Sequence, residues 1–214
     1  MKRLVPHTLT AALLFALAPQ LVRAETAILA GGCFWCVEAD LEKLPGVREA
    51  VSGYAGGTTE NPTYKTYERG GHREVVKVDF DETRISYGEL VAVFLRTIDV
   101  TDPGGQFCDR GHAYSTAIYP LDAAQAEQAS AEIGKAQKVL KGKIVTPVEQ
   151  PALFWPAEDY HQNYYKSGVR TLTRFGYVTR ADAYKGYRKG CGRDARVKSV
   201  WGGEAYHGLP GAGS

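Results

Sequence analysis

Residues 26–44 read TAILAGGCFWCVEADLEKL, and this stretch predicts a strand, a glycine turn and a helix in succession. The apolar run TAILA is typical of a buried strand, and it ends at a Gly-Gly pair. Beyond the first cysteine, apolar residues recur at steps of three and four, which indicates a helix that ends at a Pro-Gly pair. Cys33 is therefore expected at or beside the N-terminus of a helix.

This position of Cys33 favours a reactive thiol. Free backbone N–H groups and the helix dipole stabilise an anion at a helix N-terminus, so we expect a lowered pKa for this thiol. Gly31 and Gly32 allow other groups to approach the backbone closely. A pair of aromatic residues is usually core, but Phe34 and Trp35 directly follow a cysteine in a glycine turn. We interpret them as a pocket wall.

The rest of the chain mixes strand and helix patterns without an internal repeat. Strands are expected at residues 47–54, 74–80, 113–119 and 143–149, and helices at residues 86–98 and 122–140. Ser86 and Glu89 have the spacing of a capping box. The expected fold is a single α+β domain, in which a mixed β-sheet packs with helices as a two-layer sandwich. An irregular, aromatic-rich C-terminal segment is expected from Pro151 onward.

Length and charge restrict the class of protein. The 214 residues are enough for one well-buried core, and 44% hydrophobic and 23% charged residues are ordinary globular values. The net charge is +2 and no basic run exceeds two residues, so nucleic acid is not an expected partner. A monomer without stable membrane insertion is expected.

The first 24 residues have the order of a secretory signal peptide. Lys2 and Arg3 precede the uncharged apolar run LTAALLFALA, and small residues precede a cleavage site after Ala24. The run is too short for a membrane span, which needs about 20 residues. We therefore expect residues 1–24 to be removed, a catalytic domain at 25–201, a flexible tail at 202–214, and a periplasmic or secreted location.

The four cysteines are Cys33, Cys36, Cys108 and Cys191, and their even number permits structural disulfides in an exported protein. Cys33 and Cys36, together with Cys108 and His112, have a spacing that would allow a Cys₃His zinc site. However, zinc-binding cysteine pairs usually lie on tight turns, and here two large aromatic residues separate the cysteines. A thioredoxin-like disulfide exchanger would use the CxxC pair alone. We expect no metal.

Seven segments together carry a specific resemblance over roughly residues 27–165. They are GGCFWCVE (31–38), GYAGG (53–57), NPTY (61–64), GHREVV (71–76), GQFCDRG (105–111), Tyr114 and PAEDYHQNYY (156–165). This chain resembles the A-type peptide methionine sulfoxide reductases, in which these segments run in the same order. The resemblance implies reduction of the S epimer of methionine sulfoxide, in oxidised proteins or as the free amino acid, for protein repair.

The resemblance also implies a role for each matching residue. Cys33 attacks the sulfoxide sulfur, Phe34 and Trp35 hold the S-methyl group, Glu74 gives a proton to the sulfoxide oxygen, Tyr64 and Tyr114 hydrogen-bond that oxygen, and Asp109 lines the pocket. From its pattern alone, Glu74 would be a solvated charge at a strand end. No cofactor is implied, but an external dithiol such as a thioredoxin-like protein must reduce the disulfide that forms.

The cysteine that resolves the Cys33 sulfenic acid stays open at this point. Cys191 lies between two glycines in KGCGRD (189–194), a kind of C-terminal segment from which family members commonly supply this cysteine. We favour Cys191, then Cys36, then Cys108. The chain also departs from the commoner family pattern at Cys36, at His112-Ala113 and at Ser115, which leaves the fine shape of the pocket in question.

Overall fold

The computed structural model describes residues 24–211, and the predicted strand, glycine turn and helix open it. Strand β1 (Ala24–Ala30) leads through the two glycines into helix α1 (Phe34–Leu41). A Cβ at Gly31 would lie 2.9 Å from three side chains of the core, and Gly32 has a φ of +79°. Only glycine fits both positions, so the turn that presents Cys33 is set by packing as well as by backbone conformation.

A five-stranded antiparallel sheet has the strand order β6-β1-β3-β2-β7. Its other members are β2 (Val47–Ala55), β3 (Arg73–Asp81), β6 (Ala117–Tyr119) and β7 (Trp155–Pro156). The short strands β4 (Gly105–Gln106) and β5 (Asp109–Arg110) pair separately. Tyr54 at the end of β2 lies opposite Glu74 at the start of β3.

Helices cover one face of this sheet. With α1 they are α2 (Tyr87–Leu95) and α3 (Ala123–Val139), and Ser86 and Glu89 form the predicted capping box. Alternate residues of β1 divide between the faces: Leu29 joins the helix-facing core, and Ile28 joins a smaller cluster on the other face. The predicted α+β domain with a helix layer on a sheet is confirmed, but the pairs between the five strands are antiparallel, so the sheet is not the mixed one expected.

Two predicted strands differ in the structure. Residues 143–149 do not form a strand, and only an isolated bridge joins Val148 to Ile118. Pro147 has no N–H to donate, so this segment cannot continue a ladder. In the segment 113–119, a 3₁₀ turn at His112–Tyr114 replaces the first residues, and β6 begins only at Ala117.

The C-terminal segment is more regular than predicted. After two 3₁₀ turns it forms the hairpin of β8 (Arg170–Thr173) and β9 (Gly176–Thr179), then helices α4 (Arg180–Gly190) and α5 (Arg193–Trp201). Few residues of α4 and α5 are buried, so their apolar periodicity is weak in the sequence. The interpretation of this region as irregular was therefore wrong for residues 170–201.

Two arginines attach α4 and α5 to helix α1 and to the glycine turn before it. Arg188 Nη1 donates to both carboxylate oxygens of Asp40 at 3.0 Å, and its other nitrogens donate to Asp194. Arg193 is 1% exposed and donates to the backbone oxygens of Gly31 at 3.3 Å and Thr97 at 3.1 Å. Cys191 lies between these two arginines and is thereby held beside α1.

The proposed boundaries at residues 24 and 201 stay predictions. Beyond Trp201, Tyr206 is 7% exposed and its hydroxyl donates to Asp194 at 2.5 Å, so the start of the expected tail does pack on the domain. The predicted signal peptide lies outside the described residues, except for Ala24. Among residues 24–211, no helix combines the length and the apolar character that a membrane crossing requires.

Candidate active site

Cys33 opens into a pocket of about 280 Å³ at the N-terminus of α1. The sequence-predicted residues meet there: the pocket is lined by Phe34, Trp35, Tyr64, Glu74, Asp109 and Tyr114. All four cysteines also line it. Residues from α1, β3, two loops and the C-terminal helices therefore converge on one thiol.

Cys33 and Cys36 are free thiols that interact with each other. The hydrogen bond between them raises the pKa of Cys33 well above its ordinary value and lowers that of Cys36. Burial and the nearby carboxylates also raise the pKa of Cys33, whereas the charges of Arg193 and Arg188 help to lower that of Cys36. The lowered pKa predicted for Cys33 is thus found on its partner. The pair therefore loses its first proton from Cys36 and keeps the other in the hydrogen bond, and Cys33 is the more exposed residue of the two.

Glu74 is a buried acid and not the solvated strand-end charge that its pattern alone suggested. Its side chain is 2% exposed, and burial raises its pKa to about 8. The Phe34 N–H donates to Oε2 at 2.9 Å and the Tyr67 hydroxyl to Oε1 at 3.1 Å. These two bonds lower the pKa, but the loss of water around the charged form outweighs them. At neutral pH the carboxyl holds a proton beside the residue that follows Cys33.

Tyr67 was not among the residues selected from the sequence, yet it contacts Glu74 directly. It is 1% exposed, and its hydroxyl also lies 3.2 Å from that of Tyr114. Its spacing in the sequence could have indicated this position, because Tyr67 follows Tyr64 by three residues and a turn would place both rings on the same side. A turn closed by the Tyr67 N–H and the Thr63 oxygen stacks the two rings at 5.9 Å.

Tyr64 and Tyr114 lie in the pocket as the resemblance implied, with pKa values raised by burial. Glu158 fixes Tyr64 by accepting its backbone N–H at 3.0 Å, and it also accepts the hydroxyl of Tyr54 at 3.0 Å. Asp109 lines the same pocket, and burial raises its pKa as well. The described side chains therefore offer hydroxyl donors around a carboxyl that is already protonated.

Phe34 and Trp35 supply the apolar wall. Phe34 is 1% exposed and packs against Tyr54 and His161, with ring centroids 6.0 Å and 5.0 Å apart. Trp35 is half-buried and stacks on Tyr164 with a centroid separation of 3.8 Å. The wall is held by rings behind it, so it keeps its shape when a small apolar group enters.

Cys108 and Cys191 form a disulfide. This bond joins the short β4–β5 hairpin to the end of α4 and borders the pocket. In this form Cys191 is engaged with Cys108, and Cys36 is the thiol in contact with Cys33.

The departures His112 and Ser115 do not reach this pocket. The Ser115 hydroxyl accepts from Arg73 Nε at 2.8 Å and donates to the His112 oxygen at 2.7 Å. Both residues line a separate hollow beside Arg73. Their effect is therefore on the support of the 3₁₀ turn that carries Tyr114.

The zinc set considered from the sequence is not assembled. Cys108 is bonded to Cys191, and the His112 ring contacts the Gly71 oxygen at 3.2 Å. Within residues 24–211, the cluster of possible ligand atoms is Cys108, Asp109 and Cys191; it leaves out Cys33 and Cys36, and two of its three members are joined in the disulfide.

This geometry suits transfer of an oxygen atom to sulfur. The two thiols at the N-terminus of α1 are able to supply a nucleophile, and the buried neutral carboxyl of Glu74 is able to donate a proton on the same side of the pocket. A simple disulfide exchanger would need neither the acid nor the aromatic wall.

Comparison with known proteins agrees with this chemistry. A model of the family described as peptide methionine sulfoxide reductase matches residues 25–192. The peptide methionine sulfoxide reductase MsrA 2 of Rhizobium meliloti is 56% identical over 183 residues, covering 86% of both chains. The Caulobacter vibrioides protein of the same name is 43% identical over 198 residues, covering 90% of this chain and 94% of that one.

Solved structures show the same fold. Methionine sulfoxide reductase A of Corynebacterium diphtheriae is 30% identical, with a TM-score of 0.60, covering 72% of this chain and 82% of that one. Mxr1 of Saccharomyces cerevisiae in its reduced form is 26% identical, with a TM-score of 0.64, covering 72% of this chain and 92% of that one. The chain belongs to the peptide methionine sulfoxide reductase family, and reduction of methionine sulfoxide is its activity.

Proposed function

We propose that this protein reduces the S epimer of methionine sulfoxide, protein-bound or free, with Cys33 as nucleophile and Glu74 as general acid. One observation carries the proposal. The N–H of Phe34, the residue after Cys33, donates to the Glu74 carboxyl at 2.9 Å, so acid and nucleophile share the N-terminus of α1. A sulfoxide oxygen leaves its sulfur readily only when it receives a proton.

The oxygen-transfer step balances with these two groups. When the proton of Cys33 passes to Cys36 across their hydrogen bond, Cys33 becomes the thiolate. This thiolate and the sulfoxide combine with the Glu74 proton to give a Cys33 sulfenic acid and methionine. The sulfoxide sulfur is reduced by two electrons, the Cys33 sulfur is oxidised by two, and Glu74 is left as a carboxylate. Tyr64 and Tyr114 are hydroxyl donors for the oxygen before it transfers.

The arrangement supports selection of one epimer. The sulfoxide sulfur carries an oxygen, a methyl group and the rest of the substrate, and each of these groups contacts a different part of the pocket. The oxygen faces Glu74, the methyl group faces Phe34 and Trp35, and the open side faces Cys33. In the mirror-image epimer, the oxygen and the methyl group exchange places, so the oxygen meets the apolar wall and loses its hydrogen bonds.

For the resolving step, two observations favour Cys36, the second choice from the sequence. Cys36 hydrogen-bonds Cys33, so it is already within reach of the sulfenic acid that forms there. Cys191, the first choice, is bonded to Cys108. Attack of Cys36 on the sulfenic acid forms a Cys33–Cys36 disulfide, and the Cys36 thiol proton leaves with the oxygen as water.

An external dithiol then has to reduce the disulfide, and a thioredoxin-like protein has the appropriate chemistry. The signal-peptide pattern of residues 1–24 supports a periplasmic or secreted location. In that location, the reductant has to be supplied on the outer side of the membrane.

The product of a single turnover tests both the activity and the resolving cysteine. Fully reduced protein is mixed with one equivalent of methionine sulfoxide, alkylated early, and mapped by mass spectrometry. We expect one equivalent of methionine and a Cys33–Cys36 bond, with Cys191 still alkylatable. In Cys36→Ser, methionine should still form while Cys33 stays a sulfenic acid that dimedone traps.

A Cys33–Cys191 bond as the first product would return the resolving role to Cys191. If no methionine formed at all, the assigned activity itself would be contradicted.

A further inference from the structure

The hydroxyl of Tyr67 lies between a buried carboxyl and an exposed one. It is 3.1 Å from Glu74 Oε1 on the inner side and 3.3 Å from Glu68 Oε1 on the outer side. Tyr67 and Glu74 are buried, at 1% and 2% exposure, whereas Glu68 is exposed. A hydroxyl both donates and accepts, so Tyr67 connects the two carboxyls in one hydrogen-bonded line.

Under the proposed function, Glu74 loses a proton in each turnover and has to recover it. Its burial restricts access of water, and its second oxygen is occupied by the Phe34 N–H at 2.9 Å. The other titratable groups that face it are Cys33, Cys36, Tyr54, Tyr64, Asp109 and Tyr114. Tyr54 does not line the pocket, and its hydroxyl is bonded to Glu158. The other groups surround the substrate or the reacting thiols during turnover, so they are on the inner side of Glu74.

We propose that Tyr67 and Glu68 form a proton relay that reprotonates Glu74 from bulk water. Glu68, an exposed carboxylate, takes a proton from solvent. The Tyr67 hydroxyl then gives its own proton to the Glu74 carboxylate and takes the proton from Glu68 in the same movement, which leaves Glu68 as a carboxylate again. The sum is one proton from solvent on Glu74, with Tyr67 unchanged and no electrons transferred.

This role rests on the proposed general acid and goes beyond it. Tyr67 does not touch the sulfoxide and acts through Glu74, so it is a positioning residue. Its contact with the Tyr114 hydroxyl at 3.2 Å extends the same line toward the pocket. The outward end at Glu68 distinguishes a relay from a purely structural hydrogen bond, because a structural bond has no need of a solvent-exposed carboxyl.

The relay can be tested by timing proton uptake against oxygen transfer. Reduced protein is mixed rapidly with one equivalent of methionine sulfoxide at pH 7 in weak buffer with a pH-indicator dye, and methionine is quantified by quenched flow. Below the Glu74 pKa of about 8, the carboxylate formed in the reaction takes up a proton. In the wild type, uptake should keep pace with methionine formation.

Tyr67→Phe and Glu68→Gln should each delay proton uptake behind methionine formation, by at least about tenfold. Glu60→Gln, which changes another exposed glutamate of the same loop, is the matched control and should show no delay. Tyr67→Phe should also move the high-pH fall in oxygen transfer to higher pH, because it removes a hydrogen bond that lowers the Glu74 pKa.

Uptake that keeps pace with methionine formation in Glu68→Gln would overturn the relay, even if Tyr67→Phe fails to fold. A wild-type protein that forms no methionine would instead contradict the proposed function, so the two failures are distinguishable.

Discussion

Replacing Cys33 by serine should reduce turnover of methionine sulfoxide to the uncatalysed background. Serine keeps the size of the side chain at the N-terminus of α1, so the fold and the pocket should remain. A hydroxyl cannot accept the sulfoxide oxygen as a sulfur does, and loss of a nucleophile can cost on the order of 10⁶ in kcat. Methionine release with a chemical dithiol such as dithiothreitol as reductant measures this effect.

Cys108→Ser and Cys191→Ser are the matched controls for Cys33→Ser, since both residues line the same pocket. Each should still release one equivalent of methionine in a single turnover. Measurable catalysis by Cys33→Ser would move the nucleophile to Cys36 and contradict the assignment of the attacking sulfur.

Replacing Glu74 by glutamine should slow oxygen transfer by about 10²–10⁴-fold, the usual contribution of a general acid. The amide oxygen can still accept the Phe34 N–H, so the cap on α1 is preserved while the transferable proton is lost. Single-turnover methionine formation measures the step directly. Glu49→Gln, an exposed change on the neighbouring strand β2, should leave the rate unchanged.

The pH dependence of the oxygen-transfer rate is a second, independent test of Glu74 as the general acid. Its pKa is raised to about 8, and the protonated form is the active one. Oxygen transfer in the wild type should therefore fall as the pH rises through about 8. Glu74→Gln should lack this fall, because the amide does not titrate. A glutamine variant within a few-fold of the wild type, with the same high-pH fall, would show that the proton comes from another group.

The fold near the site was predictable because local signals there agree with one another. The run at residues 26–30, the two glycines and the helical spacing after Cys33 each indicate the element that forms. The capping box at Ser86 is also a local signal and is present. The burial of Glu74 was not predictable in this way, because it depends on the register of β3 against β2.

The C-terminal helices and the second cysteine pair depend on long-range contacts. Helix α4 is polar, and Arg188 holds it through Asp40, which lies 148 residues earlier in the chain. Cys108 and Cys191 are separated by 83 residues, and nothing in either local sequence indicates the other. Tertiary packing determines such pairings, and the local periodicity and spacing of a sequence contain no information about them.

The reaction of the separated sulfoxide epimers tests the central claim most directly. Reduced protein is given one equivalent of either the S or the R epimer of methionine sulfoxide, and methionine is quantified after one turnover. We expect about one equivalent of methionine from the S epimer and none above background from the R epimer, since each epimer requires its own class of reductase. Comparable methionine from the R epimer would contradict the placement of oxygen at Glu74 and methyl at Phe34 and Trp35.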